Sequence, residues 1–75
     1  DVMFSRYEAD TAVNTAINAV NCKCLVVQGT LSLTIDQQPT HYQTGDWFEI
    51  PRHTEYDLHY NSDCSIIEFW FGPPR

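Results

Sequence analysis

Hydrophobic and polar residues alternate along most of the chain from Cys22 onward, a pattern typical of β-strands with one buried face. Residues that favour turns separate the alternating segments. The pattern predicts a first strand through residues 22–26, then strands over 30–35, 40–43, 47–50, 55–60 and 64–71, with a polar turn at 36–39 and a stop at Gly72-Pro73-Pro74. Short strands at this spacing indicate an all-β sandwich or barrel with little or no helix.

The N-terminal part of the chain is less regular. Residues 3–9 could form a strand, and residues 10–21 allow two interpretations. Three aliphatic residues fall at helical spacing behind a possible cap at Asp10, namely Val13, Ile17 and Val20. The many Asn and Thr residues favour a loop followed by a strand, and the segment is too short to hold a helix without tertiary packing. Both interpretations stay open at this point.

Adjacent aromatic residues occur twice, as Trp47-Phe48 and as Phe69-Trp70-Phe71. Neighbouring side chains in a strand point to opposite faces of the sheet, so both faces of these strands should be covered. We therefore expect a homodimer with an apolar sheet-to-sheet interface. The N-terminal strand could close its own barrel or exchange with the partner. Alternatively, the aromatic residues could form a binding surface for another protein.

Length and charge exclude several classes of function. The 75 residues make one small domain over 1–75, and the net charge of −6 with only four Lys and Arg argues against binding nucleic acid or anionic membranes. No stretch is long and apolar enough for a membrane span, and no signal segment is evident. The three cysteines, an odd number, are then expected as reduced thiols in a cytoplasmic protein.

The segment GDWFEIPRHTEY, residues 45–56, carries the clearest motif in the chain. It resembles the second motif of the cupin superfamily, G-x5-P-x-G-x2-H, with Gly45 and Pro51 in place. Gly29, inside CLVVQGTLSLTI, resembles the closing glycine of the first cupin motif, G-x5-H-x-H-x3-4-E-x6-G. The resemblance covers about residues 19–71 and implies a small single-domain cupin-type β-barrel, also called a double-stranded β-helix or jelly roll.

The metal-binding positions of the family do not match this sequence. Counting back from Gly29, the family's glutamate falls on Cys22, and its last histidine falls on Tyr56. The two histidines of the first motif fall on Ile17 and Thr15, or on Asn18 and Ala16 with the shorter spacing. Cupin metals need imidazoles and a carboxylate that converge on one point. We therefore expect a degenerate metal site, no bound metal and no cofactor.

The same positions could still form a ligand pocket. If they point inward, Cys22, Cys24 and Tyr56 line the barrel, His53 stands near its rim, and Tyr60 lies further along the Tyr56 face. A cavity with a few converging polar groups is the usual form of a small-molecule site. The alternative is an interior filled by side chains. The preferred hypothesis is a metal-free module that binds a small, neutral or cationic organic ligand.

A second hypothesis is a small isomerase, epimerase or lyase in which His53 and Tyr56 transfer protons. Such a pair resembles the metal-free sugar epimerases of the superfamily, although this chain lacks the basic residues that hold a nucleotide sugar. The other histidines, His41 and His59, are expected on the outer surface. Glu68 lies in an apolar strand and could be a buried carboxylate with a raised pKa. We expect it instead to sit at a sheet edge or to pair across a subunit boundary with a base such as Arg52 or Lys23.

Overall fold

The computed structural model describes residues 1–72, which form eight β-strands and contain no helix that could cross a membrane. In chain order the strands are β1 (Val2–Tyr7), β2 (Ala12–Ile17), β3 (Asn21–Gln28), β4 (Thr30–Ile35), β5 (Gln38–Gln43), β6 (Trp47–Ile50), β7 (Glu55–Tyr60) and β8 (Cys64–Phe71). The all-β prediction is confirmed. The predicted stop at Pro73 and Pro74 lies outside the described residues.

The strands form two four-stranded antiparallel sheets that face each other. Sheet A has the order β1-β8-β3-β6, and sheet B has the order β2-β7-β4-β5. The N-terminal strand β1 pairs with β8 of the same chain, with Phe4 opposite Ile67. This is the two-layered arrangement of a jelly-roll barrel, in which the inner faces of both sheets enclose one core.

The segment over residues 10–21 is a strand preceded by a turn, so the helical interpretation is wrong. Strand β2 pairs with β7, with Val13 opposite Leu58 and Ala16 opposite Tyr56. A β-bulge lies between the two pairs, and Thr15 has a positive φ of 54°. The bulge breaks the period of two along β2, which explains why alternation is weak in this part of the sequence.

The turn predicted at residues 36–39 is shorter than expected. Only Asp36 and Gln37 form it, with φ angles of 52° and 62°, and these two left-handed residues make a tight hairpin. Gln38 and Pro39 belong to β5, where Pro39 lies opposite Thr34. Strand β5 is at the edge of sheet B, and an edge strand tolerates a proline because its free side needs no N–H donor.

Alternation of buried and exposed residues places the core between the sheets. On β3 the buried residues are Cys22, Cys24 and Val26, and on β7 every second side chain, beginning at Tyr56, is buried. Cross-strand pairing extends these positions into rows across sheet A. One row joins Cys22 to Trp70 and Ile50, and the next joins Cys24 to Glu68 and Phe48.

The outer face of sheet A carries a second apolar row, which is half-buried in the middle of the sheet and exposed at both edges. It crosses all four strands through directly paired residues, Phe4, Ile67, Leu25 and Trp47. Phe4 and Trp47, on the two edge strands, are exposed. The adjacent aromatic residues of the sequence therefore lie on two different surfaces of the sheet, the core face and this outer face.

The two motif glycines have positive φ angles but different surroundings. Gly29, between β3 and β4, has a φ of 106°, and a Cβ atom there would lie 2.5 Å from the Asp63 carbonyl oxygen and 2.7 Å from Cys64 Sγ. Gly45, in the turn before β6, has a φ of 92° and no atom within 4 Å of such a Cβ. Gly29 is thus required by close packing as well as by its backbone conformation.

We expect Gly29→Ala to cost far more stability than Gly45→Ala. Both changes place a Cβ in left-handed backbone, at a cost of about 1–2 kcal/mol. Only Gly29→Ala also forces a clash with backbone, which adds roughly 1–3 kcal/mol. Urea denaturation of both variants and the parent measures the free energies of unfolding. Equal losses in the two variants would contradict the packing role of Gly29.

Candidate functional site

A cavity lies between the two sheets, and it is the candidate functional site. The cavity has a volume of about 90 Å³. Its apolar lining comes from Val13, Phe48, Ile50, Leu58 and Ile66. Its polar lining comes from Tyr7, Asn18, Cys22, Cys24, Tyr56, Tyr60, Glu68 and Trp70. Four of the five residues predicted to form a pocket are therefore together, namely Cys22, Cys24, Tyr56 and Tyr60.

Glu68 lies inside the barrel, and the expectation that it pairs with Arg52 or Lys23 is wrong. Its side chain is buried, at 9% exposure, and faces the cavity. Oε2 accepts a hydrogen bond of 2.8 Å from the Tyr7 hydroxyl, and Oε1 accepts one of 3.0 Å from Trp70 Nε1. Alternation along β8 turns Glu68 inward, so that its donors are neutral groups rather than surface bases.

Two aromatic side chains connect this carboxylate to the opposite sheet. The ring of Tyr7 stacks on the ring of Tyr60, with centroids 4.3 Å apart and planes 9° from parallel. Burial, together with the nearby Glu68, raises the pKa of Tyr7 to about 12. Burial also raises the pKa of Tyr60. Both phenols are therefore neutral at pH 7, and the Tyr7 proton remains available for the hydrogen bond to Glu68.

The thiols of Cys22 and Cys24 are the next polar pair. Their sulfur atoms lie 3.6 Å apart on the inner face of β3, and both side chains are buried. The hydrogen bond between them lowers the pKa of Cys22, and it raises the pKa of Cys24 together with burial. The pair therefore holds the Cys24 proton firmly. The third cysteine, Cys64, lies elsewhere in the core and donates to the Thr30 carbonyl at 3.2 Å.

A phenol and an amide meet where the family motif has metal ligands. The Tyr56 hydroxyl donates to Asn18 Oδ1 at 3.1 Å, and burial raises the pKa of Tyr56. Asn18 lines the cavity, and Ala16 packs against the core, whereas Ile17 and Thr15 are exposed. The structure therefore favours the shorter motif spacing, which places Asn18 and Ala16 at the histidine positions.

These residues do not fit a cupin metal. An amide, a methyl group, a thiol and a phenol stand at the four carried-over positions, and none is an imidazole or a carboxylate. Across residues 1–72, no three His, Cys, Asp or Glu side chains form a group that could hold a metal ion. That the protein works without a metal stays a prediction.

His53 is not part of the cavity lining. It is exposed, in the turn between β6 and β7, with a φ of 58°, and its backbone N–H donates to the Asn18 carbonyl at 2.8 Å. In the motif G-x5-P-x-G-x2-H this position is a glycine, and the left-handed φ explains why. His53 and Tyr56 border the same surface depression, but the Tyr56 hydroxyl donates to Asn18 Oδ1.

The other two histidines lie on the outer surface. His41 Nδ1 is 2.8 Å from Ser32 Oγ, and His59 Nδ1 is 2.6 Å from Asn61 Oδ1. His59 Nε2 also lies 3.6 Å from the Asp10 carboxylate. Both side chains therefore belong to solvent-facing networks, separate from the cavity.

Sequence reasoning did not assign Tyr7 and Trp70 to the site. The inward position of Trp70 could have been found, because it shares a face with Ile66 and Glu68 on β8. Tyr7 carries no such signal, since it meets Glu68 from 61 positions away in the sequence. Its role depends on the pairing of β1 with β8, which brings Tyr7 opposite Cys64.

Comparison with known proteins concerns the fold. No protein-family model and no curated protein matches the sequence. Among solved structures, a cupin superfamily protein from Desulfitobacterium hafniense has a TM-score of 0.82 at 15% identity, covering 89% of this chain and 62% of that one. A cupin-2 domain containing protein from Shewanella frigidimarina has a TM-score of 0.81 at 21% identity, covering 99% and 69%.

The EutQ protein of Clostridium difficile gives a similar result. Its TM-score is 0.82 at 16% identity, covering 93% of this chain and 54% of that one. This chain therefore spans 62% of the first of these proteins and about half of EutQ. At such low identities the likeness is one of backbone architecture. The chain has the fold of a small cupin domain, as its glycine and proline motifs predict.

Proposed function

We propose that this protein is a metal-independent, cupin-like module that binds a small organic molecule in the cavity between its sheets. The observation that supports this most is the cavity itself, because a barrel of this size could have been filled by side chains. Protein interiors are normally close-packed, and a cavity lined by polar groups is costly unless something occupies it.

The dimensions of the cavity limit the ligand to a small molecule. A water molecule needs about 10–15 Å³ of space for its centre, so the 90 Å³ cavity has room for several waters or for a handful of ligand atoms. Aromatic rings and aliphatic side chains surround the polar groups, which is the usual composition of small-molecule sites. A nucleotide or a sugar nucleotide is too large.

We further propose that the protein needs no metal ion and resides in the cytoplasm. The phenol–amide hydrogen bond between Tyr56 and Asn18 occupies the place of metal ligands, and it needs no ion for its stability. Cys22, Cys24 and Cys64 are all free thiols. Free thiols persist in a reducing compartment, so we place the protein in the cytoplasm.

The proposed functional unit is a homodimer formed through the outer face of sheet A. The row of Phe4, Ile67, Leu25 and Trp47 forms a contiguous apolar strip, and such strips on a protein surface usually mark an interaction site. Lys23 also packs on this face, because its Nζ lies 5.2 Å from the Trp47 ring centroid. A second copy would cover the same strip on both molecules.

The alternative function is a metal-independent isomerase, epimerase or lyase with His53 and Tyr56 as its proton-transfer pair. Both residues border one surface depression, but His53 does not line the cavity between the sheets. A general base must lie within hydrogen-bonding reach of the substrate proton. His53 is in an exposed turn outside the cavity lining, and the Tyr56 hydroxyl bonds to Asn18. The binding hypothesis therefore does not assign a role to His53.

A ligand that occupies the cavity should stabilise the protein, and Val13→Phe should abolish this effect. Val13 lines the cavity, and a larger ring there reduces the space. The experiment is a thermal-shift screen against small metabolites in the presence of a chelator. We expect at least one compound to raise the melting temperature of the parent and of Val27→Phe, a control at an exposed site on β3. An effect that survives in Val13→Phe, or that needs added metal, contradicts the proposal.

The dimer prediction is tested with two matched variants, Phe4→Lys and Ile17→Lys. The two side chains are equally exposed, at 59% and 60%, but only Phe4 belongs to the apolar row of sheet A. Loss of an aromatic anchor at an interface costs roughly 1 kcal/mol or more, and a symmetric dimer loses it in both copies. We therefore expect Phe4→Lys to weaken the dimer about tenfold or more. Sedimentation equilibrium measures this. A monomeric parent, or equal weakening by Ile17→Lys, would rule out the interface.

His53→Gly should raise stability and leave ligand binding unchanged. The substitution relieves a left-handed φ that a side chain adopts at a cost of about 1 kcal/mol. Urea denaturation gives the free energy of unfolding, and a binding isotherm with a compound from the screen gives the affinity. A large loss of affinity in His53→Gly would instead support the hypothesis that His53 acts in the site.

A further inference from the structure

The cavity contains a carboxylate that no cation neutralises within residues 1–72. Glu68 is the one Asp or Glu in the cavity lining, and no Lys, Arg or His joins it there. Lys23 packs against Trp47 on the outer face, and Arg52 lies in an exposed turn. A buried charge without a partner is expensive, and the neutral donors Tyr7 and Trp70 compensate only part of the cost.

Glu68 also retains bonding capacity. A carboxylate has about four acceptor positions, and the hydrogen bonds from Tyr7 and Trp70 occupy one on each oxygen. Tyr60 and Cys24 also line the cavity, but within residues 1–72 neither side chain donates a hydrogen bond to Glu68. The unused capacity of Glu68 is therefore suited to a donor that comes from a ligand, and a positively charged donor gains most.

A second buried polar group lacks a partner at the same cavity. Asn18 Nδ2 is inaccessible to solvent and donates to no acceptor in the part of the chain that the structure describes. The other end of the same amide is held in place, because Oδ1 accepts from Tyr56. An unsatisfied buried donor costs roughly 1–3 kcal/mol, so an acceptor atom on a ligand would be favoured here.

The two groups stand at different depths of the barrel. Asn18 lies beside the turn between β6 and β7, where its carbonyl accepts from His53 N–H. Glu68 is in the row of Cys24, one row further in than Cys22 and Trp70. Both residues line the same cavity of about 90 Å³. A molecule of a few atoms that fills this cavity, with a donor at one end and an acceptor at the other, can approach both groups.

We infer that the ligand is a small organic cation, a primary ammonium compound that pairs with Glu68 and presents a carbonyl or hydroxyl oxygen to Asn18 Nδ2. This inference rests on the proposed binding function and specifies its ligand class. The cation supplies the charge that the cavity lacks, and the oxygen accepts from the unpartnered amide. Anions are excluded from the same space by the charge of Glu68.

The test compares glycinamide with two analogues that each lack one of its polar ends. Glycinamide carries an ammonium group and a carboxamide, propionamide replaces the ammonium by a methyl group, and propylammonium replaces the carboxamide by an ethyl group. Amide-proton NMR titration of the parent protein at pH 7 gives each affinity from shifts at the cavity residues. We expect glycinamide to bind at least about tenfold more tightly than propionamide, with propylammonium between them.

Two variants assign the preference to Glu68. Glu68→Gln keeps the size of the side chain and removes its charge. This variant should therefore bind glycinamide and propionamide with about equal affinity. Glu49→Gln removes the same charge from an exposed position on β6 and should leave the preference unchanged. If Glu68→Gln does not fold, the comparison of the three compounds on the parent protein still decides the question.

The outcomes separate this inference from the proposed function. Equal binding of propionamide and glycinamide would overturn the cationic ligand class while leaving a working small-molecule site. Absence of cavity shifts with all three compounds would also overturn it, and would indicate that water satisfies Glu68 and Asn18. In that case the metabolite screen with Val13→Phe still tests the proposed function independently.

Discussion

The hydrogen bonds that hold the Glu68 carboxylate between the sheets are the interaction on which the site depends. Tyr7 brings its donor from the first strand, Trp70 donates from the same strand as Glu68, and Tyr7 also stacks on Tyr60 of the opposite sheet. This network joins the two sheets around a polar group that would otherwise be too costly to bury. The side chains of this network also line the cavity, so they form part of its wall.

A cupin scaffold has here been combined with chemistry that differs from the family's metal site. Gly29 and Gly45 keep their conformational roles, since both have positive φ angles, and Gly29 also packs against the backbone of Asp63. At the positions that correspond to imidazoles in the motif, Tyr56 bonds to Asn18 instead. The fold depends on the glycines and the alternation, and the chemistry depends on inward positions that can change independently.

Much of the fold could be predicted from the sequence because alternation and turn residues act locally. The strands after Cys22 were predicted in this way, whereas the bulge in β2 breaks the period and left residues 10–21 open. The site is harder to predict from the sequence, because Glu68 and Tyr7 lie 61 positions apart and meet only through strand pairing. The motif position of His53 predicts a place near the rim, but its exposed turn lies outside the cavity lining.

A high-resolution crystal structure of the purified protein would show what occupies the cavity. We expect density between the sheets that lies within hydrogen-bonding distance of both the Glu68 carboxylate and Asn18 Nδ2. We also expect Tyr7 and Trp70 to keep their hydrogen bonds to Glu68. An interior filled by side chains, or a Glu68 carboxylate turned out into solvent, would rule out the cavity as a binding site.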